Sequence, residues 1–333
     1  MKPAIIAVLA ALSISPVPAA TGPSGLKIVQ RIPGPDGGWD YASFDPARQR
    51  VYVAHGSTVM LIDADTGKVT ADFAKGDHLH AVVPIPGTDR IVTTNSGDSS
   101  AKVIDARTGA LVASIPAASD TDSAAFDPAS RLAVIVGGDS GELTLVDPKG
   151  LKAVGSIKVG GALEFLAPDG KGRVFINGED SNQIVEVDLK ARKVLAHWPL
   201  TGCRRPTGLA LVAGDRLVSA CGNGVAKILS SADGHDIATL TIGEGPDAVL
   251  YDARRQEVLI PSGRSGTLAV IALAGPHANT VIDTVPTQIG ARTGAVDPQS
   301  GRVWLPTAQY NPPTPGQRPS VKPGTFEVLV LGR

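Results

Sequence analysis

The chain has 333 residues, with 31 Lys and Arg against 32 Asp and Glu, for a formal net charge of −1. There is no basic excess to neutralise phosphates, and aromatic residues at 4% are too sparse for a base-stacking groove, so the composition argues against a nucleic-acid binder. The 38 glycines and 26 prolines favour many short strands joined by tight turns.

Taken from the start, Lys2 gives a positive end, Ala4 to Ile14 is apolar, and Ser15-Pro16-Val17-Pro18-Ala19-Ala20 is a small-residue exit. Such an apolar stretch is too short to span a bilayer and reads as an export signal, residues 1–20, cut after Ala19 or Ala20. No Cys follows it, which argues against a lipid anchor, and no later segment is apolar enough for a membrane span. The expected location is therefore periplasmic or secreted, with residues 21–333 forming one domain.

A phrase then repeats. Val59-Met60-Leu61-Ile62-Asp63-Ala64-Asp65-Thr66-Gly67 returns as Ala101-Lys102-Val103-Ile104-Asp105-Ala106-Arg107-Thr108-Gly109. Weaker copies are anchored at Asp147, Asp188 and Ser230, a step of about 42 residues, which suits four-stranded propeller blades. Each unit carries β-branched runs punctuated by Gly, Asp and Pro, the pattern of successive hairpins. Inner strands are predicted near Tyr41, Ala81, Ser123, Leu163, Gly208, Ala248 and Gly294, giving an all-β, seven-bladed β-propeller.

Lys27 to Ile32 matches the fourth strand of a unit, and Phe326 to Gly332 matches the third. The N-terminal strand should therefore complete the last blade, closing the ring and suiting a monomer. Cys203 and Cys221 are the two cysteines, and an oxidising compartment permits a bridge; sequence leaves a disulfide and two buried thiols equally open. The last unit has a Pro-rich insertion at 308–324 that cannot be a central strand and reads as a long loop, functional or disordered.

The recurring Val-Ile-Asp-x-x-Thr-Gly phrase, with the strands Val51-Tyr52-Val53-Ala54-His55 and Ile91-Val92-Thr93-Thr94-Asn95, resembles the YncE-like propellers built from YVTN-type repeats. The likeness runs over essentially the whole mature chain and implies an exported bacterial seven-bladed propeller. It implies no chemistry, since one fold hosts many functions.

Aligning the units puts Asp40, His80, Asp122, Ala162, Thr207, Asp247 and Arg292 at one equivalent position, a ring around the channel mouth. Trp39, Glu164, Arg204 and Arg205 lie close by. His55, His78 and His80 with Asp40 have the residue types of a divalent-metal site, although solvated loop histidines explain them equally simply. Asp122, Glu164 and Asp247 are candidate general acids and bases, or Ca²⁺ ligands as in propeller lactonases; the simpler role is capping of turns. Arg204, Arg205 and Arg292 suit an anionic ligand, and Tyr310, Arg318 and Lys322 of the long loop could fold over the mouth. No Gly-rich phosphate loop, Gly-x-Ser-x-Gly elbow or His-Glu-x-x-His is present. The leading expectation is a binding module for a small polar ligand, a metal-bearing compound or an envelope protein. A metal-assisted hydrolase or lyase is the alternative, with a divalent metal as its cofactor.

Overall fold

The computed structural model describes residues 23–312 and 319–333. Residues 1–20, read from the sequence as an export signal, and Arg318 therefore lie outside the described residues. Seven four-stranded antiparallel sheets form, spanning residues 42–75, 79–116, 121–158, 163–199, 206–241 and 250–286, with 295–332 making the seventh together with Lys27–Pro33. This is the seven-bladed propeller the repeat predicts. The inner strands begin within a few residues of the predicted places, and the shortest, Ala295–Val296, belongs to blade 7.

The repeated phrase is turn chemistry. The Asp63 carboxylate accepts from the Thr66 N–H at 2.8 Å and its hydroxyl at 2.7 Å, while Gly67 turns the chain at φ 73°. Asp105 repeats this with Thr108 at 3.0 Å. A Cβ on Gly109 would lie 1.7 Å from the Phe73 carbonyl, so only glycine fits between the blades there. The Asp-Pro turns are held alike, by Asp45 on the Ala47 N–H and Asp297 on the Gln299 N–H.

Second and third strands of each blade are buried almost end to end, as in Val51 to His55 and Val59 to Ile62. Faces of adjacent blades pack together, so the core is a series of inter-blade layers. At the seam, Trp304 and Phe326 of blade 7 meet Val53, Met60 and Ile62 of blade 1. Lys27–Pro33 runs antiparallel to Glu327–Gly332, from the Lys27–Gly332 pair to the Pro33–Glu327 pair, so the N-terminal strand completes blade 7 as expected.

The ring is also belted around its mouth. Thr293 Oγ1 donates to the Asp40 carbonyl at 2.8 Å, the Tyr41 N–H to His80 at 3.0 Å, Ser123 Oγ to Glu164 at 2.9 Å, and Thr207 Oγ1 to Pro246 at 2.8 Å. These bonds cross from blade to blade and fix the ring positions relative to one another.

Cys203 and Cys221 are joined, with Cα atoms 5.4 Å apart, which resolves the choice left open by sequence. The long loop is not irregular throughout. Asn311 donates its N–H to the Ser320 carbonyl at 2.9 Å, and Lys322 donates to Gln309 at 2.8 Å, making a paired stem beside the mouth. Proline is tolerated here because this ladder is an edge extension and lies outside the four-stranded sheet.

Candidate functional site

The residue two places before the ring position has a positive φ in six blades: His78 at 49°, Asp120 at 54°, Gly160 at 93°, Arg205 at 53°, Gly245 at 66° and Gly290 at 95°. With Gly38 of blade 1 the exception, the repeat thus imposes a left-handed turn before six of the seven inner strands. Its carbonyl takes the N–H of the residue just after the second strand, as Ser96 to His78 at 3.1 Å and Gly222 to Arg205 at 3.0 Å. Side chains leaving these two loops converge on the mouth.

A side chain spans the channel just below. Tyr41 of blade 1 is 6% exposed and crosses to blade 4, where its hydroxyl donates to Glu164 Oε2 at 3.1 Å. Its ring meets Phe165 edge-on at 5.1 Å between centroids. The mouth is therefore a cup with Tyr41 as part of its floor.

Charges in the cup are close enough to govern one another. Arg292 donates from Nε to Asp247 at 2.7 Å and lies 3.6 Å from Asp40. His80 Nδ1 is 2.7 Å from Asp40 and 3.6 Å from Asp122. Burial and the neighbouring Asp40 charge push Asp122 up to about 8, against the help of His80. Burial lifts Asp247 to about 6, opposed by Arg292. Burial, then Asp122 and Asp247, raise Glu164 well above the carboxylate range. Burial disfavours a charge on His80, but the Asp40 hydrogen bond together with the charges of Asp40 and Asp122 outweighs it and raises the imidazole. Such displaced protonation is typical of functional sites.

Over blades 4 to 7 the cup opens into a cleft of about 1180 Å³, lined by Glu164, Asp247 and Arg292 below and by Arg204, Arg205, Arg264 and Tyr310 above. Arg205 is taken up by Glu179, whereas Arg204 and Arg264 form no ion pair among the described residues. Tyr310 packs over Gly290, where a Cβ would meet its ring at 2.7 Å. Lys322 belongs to the loop stem.

The predicted site residues fall into three groups. Asp40, His80 and Asp122 come together, each offering a ligand atom within 4.8 Å of the others, so these three can hold a metal ion. Glu164, Asp247, Arg204, Arg205, Arg292 and Tyr310 share the cleft. Trp39 and His55 join neither. Both are buried in the seam of blades 7 and 1, against Phe326 at 5.3 Å and 4.7 Å between centroids. The His55 side chain turns to the seam because alternation along its strand puts it on the same face as Val51 and Val53, the face packed against blade 7. His78 is exposed at the rim, its ring 5.0 Å from that of His80.

Sequence reasoning missed Ser96. Its hydroxyl lies 2.6 Å from His78 Nδ1 and 3.1 Å from His80 Nε2. A signal existed: the equivalent residues are Gly56, Gly138, Glu179, Gly222, Gly263 and Ala308, so blade 2 alone carries a hydroxyl there. It also missed the floor role of Tyr41, which depends on a contact across the channel.

Fold and site together define a β-propeller with a charged cup on one face. No family model matches the chain, and no curated protein matches it. Solved structures do. A chain of the Kuenenia stuttgartiensis hydrazine synthase is similar with a TM-score of 0.71 at 14% identity, over 82% of this chain and 92% of that one. A chain of a mitotic checkpoint complex gives 0.72 at 14%, over 92% and 95%. U3-55K gives 0.77 at 10%, over 94% and 100%. At such identities the likeness is one of fold alone.

Proposed function

We propose that this protein is an exported, monomeric binding module of the YncE-like type that takes a small polar ligand in the cup. The observation that carries the reading is the layout of the cleft: at its floor the carboxyl groups of Glu164 and Asp247, which burial keeps readily protonated and an approaching cation would ionise, and at its rim the guanidinium groups of Arg204 and Arg264, which form no ion pair among the described residues. A ligand with an ammonium group at one end and a carboxylate or phosphate at the other satisfies both, and the charged tip of an envelope-protein loop would do the same. The volume of about 1180 Å³ is ample for such a molecule.

The test is a thermal-shift and calorimetric screen of zwitterions, amines and carboxylates against the mature protein. A ligand at 100 times its Kd stabilises the fold by about 2.7 kcal/mol. Zwitterions should bind best, and Glu164→Gln and Arg204→Ala should each weaken them about tenfold or more. Binding unaffected by either substitution refutes the reading. A second reading, a divalent ion held by Asp40, His80 and Asp122 in a hydrolase or lyase, is favoured by the 4.8 Å clustering of their ligand atoms. Elemental analysis of the protein and a His80→Ala variant tests it.

A further inference from the structure

We propose that Ser96, His80 and Asp40 form a nucleophilic triad that cleaves a small carboxylic ester at the blade 1–2 side of the mouth. Ser96 Oγ is 3.1 Å from His80 Nε2, and His80 Nδ1 is 2.7 Å from Asp40 Oδ2. A nucleophile within hydrogen-bond reach of a base, which is itself held by a third group, is the arrangement that activates a serine. The three come from separate places, 40 before the inner strand of blade 1, 80 in that of blade 2 and 96 in the following loop.

The Ser96 hydroxyl has two acceptors in reach, His80 Nε2 at 3.1 Å and the His78 carbonyl at 3.2 Å. In the neutral form of His80, Asp40 accepts from Nδ1–H, which leaves the free lone pair on Nε2 to take the Ser96 hydroxyl proton. His78 Nδ1, 2.6 Å away, then donates to the Ser96 oxygen from the other side. The Ser96 N–H bonds the His78 carbonyl, as the equivalent residue does in other blades, so the backbone is a feature of the repeat. The hydroxyl is not, and it occurs in the blade that supplies the ring histidine. Asp40 is held in turn by Thr293 on its carbonyl and Arg292 beside its carboxylate.

In the reaction, Ser96 Oγ bonds the ester carbonyl carbon while its proton passes to His80 Nε2. The carbonyl π pair moves onto oxygen, and the His78 imidazole, with Nδ1 2.6 Å from Oγ, is the nearest side-chain donor to it. Collapse breaks the bond to the alkoxy group, which leaves with the proton from Nε2. Water repeats the sequence on acyl-Ser96, giving the acid and restoring the serine. Ester and water are consumed, alcohol and acid are produced, and no redox partner is needed. Anionic groups on the substrate would lie toward Arg292, which adjoins Asp40.

The test uses the purified mature protein and a fluorophosphonate probe, whose phosphorus takes Ser96 Oγ and releases fluoride. Peptide mapping should find the label on Ser96. Ser96→Ala should abolish it, and His80→Gln should slow it about 100-fold or more, the usual contribution of a general base. Asp40→Asn should slow it as well, with thermal melts confirming that each variant is folded. A wild-type protein unlabelled at Ser96, or one labelled as fast in His80→Gln, overturns the proposal. Ligand binding in the arginine-lined cleft does not require Ser96, so the two readings fail separately.

Discussion

Asp122→Asn should make the protein more stable at alkaline pH. Asp122 keeps 20% of its side-chain surface, and its one close cationic partner is His80 at 3.6 Å. Burial and Asp40 move its carboxyl from 3.8 to about 8. Below pH 4 the group is neutral in both folded and unfolded chains and contributes nothing. Between pH 4 and 8 the unfolded chain sheds the proton while the folded chain keeps it, so stability falls as pH rises. At ~1.4 kcal/mol per pH unit the ceiling is roughly 6 kcal/mol. A charged His80 offsets part of that, so the expected gain from Asn at pH 8.5 is about 1–3 kcal/mol, or ~2–6 °C in a chain of this size. Thermal melts of wild type and variant at pH 5 and 8.5 measure it. The two should nearly coincide at pH 5 and diverge at 8.5. A variant no more stable than wild type at pH 8.5, or a gap that does not widen with pH, refutes the electrostatic account.

The Cys203–Cys221 bridge closes a loop of 18 residues, so Cys203→Ser with Cys221→Ser should cost about 3 kcal/mol by urea denaturation, and a reductant should lower the wild-type midpoint alone. His55 is 5% exposed, and its burial holds the imidazole below the usual histidine value. Stability from this residue is complete above about pH 6.5 and is lost as pH falls, by at most about 1.4 kcal/mol per pH unit; His55→Phe should flatten the slope between pH 6.5 and 5. Tyr41→Phe removes the donor to Glu164 and should cost about 1 kcal/mol, measured by the shift in denaturation midpoint at unchanged m.

The fold was legible because its information is local and repeated. Asp63, Thr66 and Gly67 make one turn by themselves, so each copy of the phrase announces a blade. The ring positions were legible too, since aligning the copies places Asp40, His80, Asp122, Asp247 and Arg292 together. Legibility ended where a contact crosses the axis or depends on strand parity. Tyr41 reaches Glu164 over 123 residues of sequence, and no spacing rule joins them. Trp39 was assigned to the mouth by its nearness to Asp40 and His55 because it ends a second strand at the loop face, whereas seam packing against Phe326 holds both side chains. Ser96 stands out only by comparison with the four glycines, Glu179 and Ala308 that occupy the same place elsewhere, and its meaning required the tautomer that Asp40 sets on His80.

The strand that closes blade 7 also gives the molecule a direction. Its first residue, Lys27, pairs with Gly332 at the end farthest from the mouth, and Arg333 donates to the Ser24 carbonyl at 2.7 Å. Both ends of the described chain thus leave side by side from the turn face, behind the cup. Whatever is joined to either end, whether a leader, an affinity handle or a solid support, holds the protein from the back and leaves the charged cup pointing outward. A surface coated through those ends would carry a uniformly oriented layer, every mouth open to the solution.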